Sequence, residues 1–572
     1  MVTENTNKPA TSVNYRKNIN KNFLLPIMEL LFLILVIGWQ ARAQDMVFTP
    51  EDTGQAGGKS AAAKAAPAEG PPSEAMTAGL RLYQQKAFRE ASVQFQRVVE
   101  GATTDAEANK QKAQFFLGKS LFHLKFYQSA LGVFEEIVQM GESHLYFRPT
   151  LEWLAQLSRV LPEPAGIIGL TGQYGDTPEV LSEFNTPERK ETYNELLYLM
   201  GRYWYNQNEF EKARAFLSAV EPGSKYYVHS LFFVGVTYVR ERQASPAIKA
   251  FKQIVDKYKD TPRIFLSAEE ERFLDLAWLS MARIYYSTEH WDSALEAWGN
   301  VPMTSEYWLD SLFEESWAYF QVGDDPKIQG YQKALGNIHT LNSPYFIDRF
   351  YPESLVLKSV IYFSNCWFEE ANETVTAFSN EYQPLKDELQ KEMAKYDDNV
   401  KFFEFLKAVA EKRAQNLSPR VMKVLNVAMG DRTLLRNLEY VKLLEKEEER
   451  LSKMPPEFRN ASIGIRILQD IAAAKSVAID NAGNLAKSRF ERLISELQDL
   501  LNQAMGIQIE ILNAIRGSLK QELMNEMEIT APTQKAAKPK TDSEHHIWPF
   551  QGEYWRDELG YYRQVIVSRC GR

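Results

Sequence analysis

A 34-residue spacing governs the middle of this chain and limits what it can fold into more than any other feature. Met200, Gly201, Trp204, Ala213, Leu217 and Val220 recur 34 positions on as Val234, Gly235, Tyr238, Ala247, Phe251 and Ile254. Residues 111–144 repeat the pattern with Leu117, Gly118, Leu121, Ala130, Phe134 and Ile137. Residues 275–308 repeat it with Trp278, Met281, Ala282, Tyr285, Ala294, Trp298 and Val301. An early copy has Gly79, Leu82, Ala91, Phe95 and Val98, and a late one has Ser359, Tyr362, Ala371, Val375 and Phe378. Each unit reads as a pair of helices, A and B. A small residue lets helix A approach helix B, a bulky residue three positions later fills the space between them, and a second small residue sits where B crosses A. Helical amphipathicity alone would fix the buried face but not small residues at two set positions. A unit of this size cannot bury its apolar face alone, so the copies must stack.

Two further stretches fit less well. The segment from Leu309 to about Leu341 keeps Ser316 and Tyr319 but has Ile328 where Ala belongs. Residues 146–190 are expected to hold a degenerate helical pair, because Pro162, Pro164 and several glycines interrupt them. On these residues the chain resembles the tetratricopeptide-repeat superfamily over roughly residues 72–380. The resemblance implies an all-α fold, a right-handed solenoid whose usual work is holding other proteins; it is specific for fold and weak for function.

From about Asp387 to Glu528 the 34-residue frame disappears. Phe490, Leu493, Leu497, Leu500, Ala504, Ile507, Ile511 and Ala514 alternate steps of three and four, a coiled-coil seam. Pro455-Pro456 interrupts the pattern after Leu434, Leu438 and Val441. The expected arrangement for 387–528 is a long antiparallel helical hairpin hinged at the double proline. A homodimer through the same seam is the rival, and Gly506 and Gly517 weaken either helix by about 1 kcal/mol each.

The ends carry different signals. Arg16, Lys17 and Lys21 precede an apolar run from Phe23 to Trp39 and then Ala41-Arg42-Ala43. This reads as a secretory signal peptide over 1–43, cleaved after Ala43; the alternative is an uncleaved anchor, which Glu29 inside a short run disfavours. No cysteine stands directly after the run to take a lipoprotein anchor, and no later segment has the composition of a membrane span, so the mature chain is expected in the periplasm or elsewhere in the cell envelope. Residues 44–71 lead into the repeats as a tether, Ala, Gly and Pro rich from Glu51 on. A second polar linker over 529–544 leads to the tail, 545–572, where Trp548, Phe550, Tyr554, Trp555, Tyr561 and Tyr562 crowd together. That much aromatic surface reads as a cap packed back on the parent helices or as a short partner-binding motif, with Trp548, Phe550, Tyr554 and Trp555 its core.

At 572 residues with a formal charge of −9, the chain can bury a large core and lacks the basic domain expected of a general nucleic-acid binder. Its two cysteines, Cys366 and Cys570, would pin the tail to the last repeat if bridged. Pairing needs their α-carbons within about 7 Å, so two unpaired thiols are the expectation. No nucleotide-binding loop, nucleophile elbow or zinc-protease motif is present. Asp542, Glu544, His545 and His546 lack the i,i+4 geometry of a helical metal site, and no metal or cofactor is expected. Asp324-Asp325 and Asp397-Asp398 lie in polar surroundings and read as solvated.

In the tetratricopeptide class, positions 2, 5, 9, 12 and 13 of each A helix usually line the inner groove. Carried over, that gives Phe115, Lys119, Phe122 and His123, then Tyr198, Arg202, Tyr205 and Asn206, then Phe232 and Arg240, then Arg283 and Tyr286. Aromatics and cations of this kind anchor interfaces and would favour an acidic or C-terminal peptide carboxylate. The alternative is that the aromatics fill gaps between helices and the cations are solvated. The paired Lys and Asn of chaperone-binding members are missing, so chaperone-tail binding is not implied. The expected function is a non-enzymatic, exported adaptor with envelope proteins as partners. Its layout and the W-P-F-x-G-E-Y-W-x-D-E-L-G tail resemble deltaproteobacterial envelope repeat proteins, including those of adventurous gliding-motility machines. The alternatives are an accessory factor for outer-membrane protein or polysaccharide export and a docking subunit for a peptidoglycan enzyme.

Overall fold

The computed structural model describes residues 70–525, except 347–348, 412, 414–416 and 430–431, together with 568–570. The signal segment, most of the tether, the second linker and the aromatic motif Trp548, Phe550, Tyr554 and Trp555 lie outside the described residues. Among the described residues every regular element is helical, and no helix is long and apolar enough to cross a membrane.

The helices come in pairs. α1 (Glu74–Gln84) and α2 (Phe88–Val99) form the first, α3 (Glu107–His123) and α4 (Tyr127–Met140) the second. α5 (Phe147–Ser158) is followed by a run of single turns that includes α6 (Ile167–Thr171). The pairs then resume with α7 (Lys190–Asn206) and α8 (Phe210–Ser218), α9 (Tyr227–Arg240) and α10 (Ala244–Tyr258), and α11 (Ala268–Ser287) and α12 (Trp291–Gly299). The last pairs are α13 (Trp308–Val322) with α14 (Gly330–Leu341) and α15 (Glu353–Ser364) with α16 (Phe368–Met393). Ser73 opens the stack, accepting a hydrogen bond from the Met76 amide at 3.1 Å. Ser267 and Glu270 close a reciprocal capping box at the start of α11.

The small residues of the repeat do what their spacing predicts. A β-carbon on Gly118 would lie 2.6 Å from the Phe134 ring, on Gly235 2.6 Å from Phe251, on Gly79 2.7 Å from Phe95 and on Gly201 2.6 Å from Leu217. In every case the bulky partner stands sixteen residues on, in helix B, and is buried. Between the helices of these units one residue takes a left-handed conformation: Lys86, Lys125, Asn208, Arg242, Glu289 and Cys366 all have φ between 59° and 64°. The worn copy has a longer turn, which leaves Ile328 outside any helix and puts the buried Ala334 of α14 six residues later in the crossing.

Two features differ from the sequence reading. α16 runs unbroken from Phe368 to Met393, straight through the expected boundary at 380–387 and through Pro384. A helix-interior proline removes one hydrogen bond, and here the packing of α16 along a later helix offsets that loss. The cysteines are the second difference. Cys366 and Cys570 are joined in a disulfide with their α-carbons 5.1 Å apart, not left as separate thiols. Sequence separation of 204 residues hides this pairing, because the chain returns to the α15–α16 turn. Around the bond, the Arg569 amide donates to the Asn365 carbonyl at 2.9 Å, and the Arg569 guanidinium stacks 4.0 Å over Trp367 and reaches Glu370 at 3.2 Å.

Beyond the repeats come α17 (Asn399–Ala410), α18 (Pro419–Met429), α19 (Arg432–Ser452), the single turn α20 (Pro456–Arg459) and the 64-residue α21 (Ser462–Asn525). α19 and α21 fold against each other through the turn at Pro455-Pro456, with Lys475 bound to Glu448 at 3.0 Å. The arms are unequal, and most of the seam of the longer one faces inward, while Met505, Ile509, Leu512 and Leu519 on its other face are exposed. Phe490, Leu497, Leu500, Ala504, Ile507 and Ile511 of the seam are buried against α16 and α17 of the same chain. These residues of the seam are therefore taken up internally. Near its other end α21 packs on α2 and α4, where Arg466 binds Glu136 at 2.6 Å. Further along, Phe490 meets Phe402 of α17 edge-on at 5.6 Å, Lys386 of α16 donates to Gln498 at 2.7 Å, and Gln508 reaches Asn372 at 3.5 Å. One helix thus ties the first repeats to the last, and a single apolar cluster runs from α1–α5 into α13–α21. A second cluster fills the middle repeats from Tyr205 to Ile284.

Candidate functional site

The four candidates on α3 come together in one aromatic cluster. The Lys119 ammonium lies 4.7 Å from the centre of the Phe116 ring, 5.1 Å from Trp153, 5.2 Å from Tyr83 and 5.3 Å from Phe115. Burial among those rings pushes its pKa down, opposed by Glu152. Phe115 stacks on Tyr146, Phe122 meets Trp153 edge-on, and the exposed His123 stacks on Phe88 at 4.4 Å. Burial and the neighbouring Lys119 both lower the His123 pKa. The cage is filled by the chain's own cation.

On α7 the candidates serve a different purpose. Arg202 is buried, with its side chain 8% exposed; it pairs with Glu163, donates to the Tyr198 hydroxyl at 3.1 Å and lies 4.4 Å over the Phe233 ring. Tyr205 is buried and meets Phe233 edge-on, while Asn206 is half-buried. Phe232 and Tyr286 are also buried. Arg283 forms two hydrogen bonds to Glu314 at 2.9 and 2.6 Å. Arg240 stays exposed, donating to Asn208 at 3.0 Å. Most of these aromatics fill space between helices, and Arg202 and Arg283 are neutralised by acids rather than held open for a peptide carboxylate.

Those acids were not visible in the repeat pattern. Glu163 sits in a single turn after α5, and Glu314 lies inside α13, between Phe313 and Glu315. Glu195, 1% exposed, accepts from Arg159 at 2.9 Å, from the Tyr226 hydroxyl at 2.6 Å and from Ser158 at 3.2 Å. A cavity of about 170 Å³ opens between Pro162, Glu163, Glu195, Tyr198, Arg202 and Tyr226. A carboxylate within an apolar helix face is the one signal that could have marked Glu314 in advance.

The hairpin reaches this same region. Along α19, Arg432 binds Glu306, Arg436 binds Glu163 at 2.7 Å, and the Tyr440 hydroxyl donates to Gln128 at 2.6 Å. Glu447 accepts the Tyr127 and Gln128 amides at 3.0 and 3.3 Å, and Arg450 donates to the Lys125 carbonyl at 2.6 Å. Glu163 is thus shared between Arg202 of the repeats and Arg436 of the hairpin. Glu447 caps the N-terminus of α4 from 320 residues away, where the helix dipole favours an anion.

Burial raises the Glu447 pKa to about 7, opposed by the Gln128 and Tyr127 amides and by Arg450. The folded carboxyl therefore holds its proton to a higher pH than the unfolded one. Its contribution to stability is present below the unfolded value and is lost as pH rises towards 7, by up to about 3 kcal/mol. We expect the urea midpoint of the wild type to fall between pH 5 and pH 7 relative to Glu447→Gln. Parallel curves for the two proteins would show that Glu447 does not titrate in this window.

No family model matches the chain, and no curated protein does. Among solved structures it is similar to a Rap protein complexed with competence and sporulation factor, at 15% identity, covering 64% of this chain and 99% of that one with a TM-score of 0.24. It is also similar to a circular tandem repeat protein with novel repeat topology and enhanced subunit contact surfaces, at 10% identity, covering 79% and 90% with a TM-score of 0.10. Neither superposes well enough to carry an argument about this chain. The fold assignment rests on the helix pairs themselves, and they make the chain an all-α helical-repeat solenoid closed by a helical hairpin.

Proposed function

We propose that the chain is an exported, non-enzymatic scaffold that assembles a multiprotein complex in the bacterial cell envelope, with a gliding-motility machine as the assembly its layout resembles. The observation that carries the reading is the stack of small-to-bulky helix pairs, an architecture whose extended surfaces suit protein recognition. The Cys366–Cys570 disulfide supports an oxidising compartment, since such bonds persist outside the cytosol and are rare within it. The basic and apolar N-terminal run supports the same address.

The test is crosslinking and affinity purification of the intact chain from its native envelope, beside a variant with His123→Ala and Arg240→Ala. Among the described candidates these two are the exposed ones, so their loss leaves the buried core alone. Specific envelope proteins that co-purify with the wild type and are depleted in the variant support both the scaffold and the face. Recovery of the folded chain without any envelope protein rejects the scaffold reading.

A further inference from the structure

Five side chains by which α19 touches the solenoid, Arg432, Arg436, Tyr440, Glu447 and Arg450, fall within an arc of about 80° at 3.6 residues per turn. Its buried apolar residues, Leu434, Leu438, Val441, Leu444 and Leu451, occupy the adjoining arc of about 140°, and α19 packs on α21. α19 is thus an amphipathic helix in a slot, with α21 on its apolar side and the repeats on its polar side. The repeat wall of that slot is made of acceptors for cations: Glu306, Glu163 and the Lys125 carbonyl, with the amide end of α4 beside them for one acid.

We propose that this slot is a binding site for an arginine-bearing amphipathic helix of a partner protein, and that α19 is its intramolecular occupant. The proposal rests on the scaffold reading and names the kind of partner. Two observations favour exchange over a fixed role. The outer ion pair is weakly held, since Arg432 and Glu306 are 38% and 48% exposed and such pairs contribute little. α19 also leads into the turn at Pro455-Pro456, a break in regular structure about which it can swing. The charge pattern selects the ligand. Arg202 and Arg283 are already neutralised by Glu163 and Glu314, so these two cations are not open to the acidic peptide expected from the repeat positions, whereas the Glu306, Glu163 and Lys125 carbonyl oxygens all take arginines from α19. The recognised helix carries Arg in its first two turns, an aromatic hydroxyl one turn on and Glu two turns beyond that.

The probe is a labelled peptide of residues 432–452 added to the full-length protein. A site already filled by its own segment has its apparent affinity lowered by the fraction filled. The peptide is therefore expected to bind Arg432→Glu/Arg436→Glu about tenfold or more tighter than wild type, and a peptide carrying the same two reversals is expected not to bind. A milder variant, Tyr440→Phe/Arg450→Ala, guards against loss of folding and is expected to give a smaller gain. Hydrogen exchange at the Tyr127 and Gln128 amides reports release of α19. Release without any gain in peptide binding overturns the proposal, and so does unchanged protection in both variants, which would make α19 a fixed part of the core. Because the probe is the chain's own sequence, either failure leaves the envelope co-purification result standing.

Discussion

Replacing Glu163 with leucine is expected to destabilise the folded chain by about 3–5 kcal/mol, a large part of what holds most domains folded. Among the described residues Glu163 is the carboxylate bound to Arg202, whose side chain is 8% exposed. Without it the guanidinium keeps one neutral hydroxyl, Tyr198, and the face of Phe233. The same substitution releases Arg436 and so loosens α19. A fall in the urea midpoint is the readout, with Glu163→Leu/Arg202→Met recovering most of the loss because the stranded charge is gone. An unchanged midpoint in the single variant would mean that Arg202 is reached by solvent, and the account of a buried, neutralised groove would be wrong.

The second large effect is expected at Trp298, buried to 1% exposure in α12. Trp298→Ala removes an aromatic side chain from a packed crossing and leaves a cavity beside Tyr286, whose ring stands 5.9 Å away. Losses of this kind run to about 3–5 kcal/mol. The indole also donates to Glu314 at 3.3 Å, so the acid that neutralises Arg283 loses a partner as well. Trp298→Phe keeps most of the volume and is expected to cost well under half as much. Thermal unfolding of the three proteins separates these contributions. Equal losses for Phe and Ala would put the hydrogen bond, not the packing, in charge of the site.

The skeleton of this fold is readable because its key contacts are local. Gly118 and Phe134, Gly201 and Leu217, and Gly235 and Phe251 lie sixteen residues apart, within one unit, and the same juxtaposition recurs. The neutralising acids are different. Glu163 is 39 residues from Arg202 and sits in an irregular turn, so no periodicity connects them. Glu447 meets Tyr127 across 320 residues, and Cys366 meets Cys570 across 204. The hairpin's seam could be read from steps of three and four, but a seam shows that a partner helix exists without saying which one. The sequence therefore announces α21 and leaves open that it lies on α16 and α17. The groove positions suffered for the same reason: residue type suggested an anchor, while the pairing that silenced it came from elsewhere in the chain.

Repeat arrays commonly change length over evolution, since an open stack can accept or discard a unit and still cover its neighbours. That freedom is closed to this one. Between Arg466, bound to α4, and Gln508, bound to α16, α21 has a fixed reach of about 63 Å at 1.5 Å per residue. Inserting or deleting a single repeat between them would move one anchorage away from the other by a full unit, with nothing in a straight helix able to make up the difference. The number of units and the length of α21 must then change together or not at all, so lineages carrying this architecture should keep their repeat count constant while the surfaces of the individual repeats diverge.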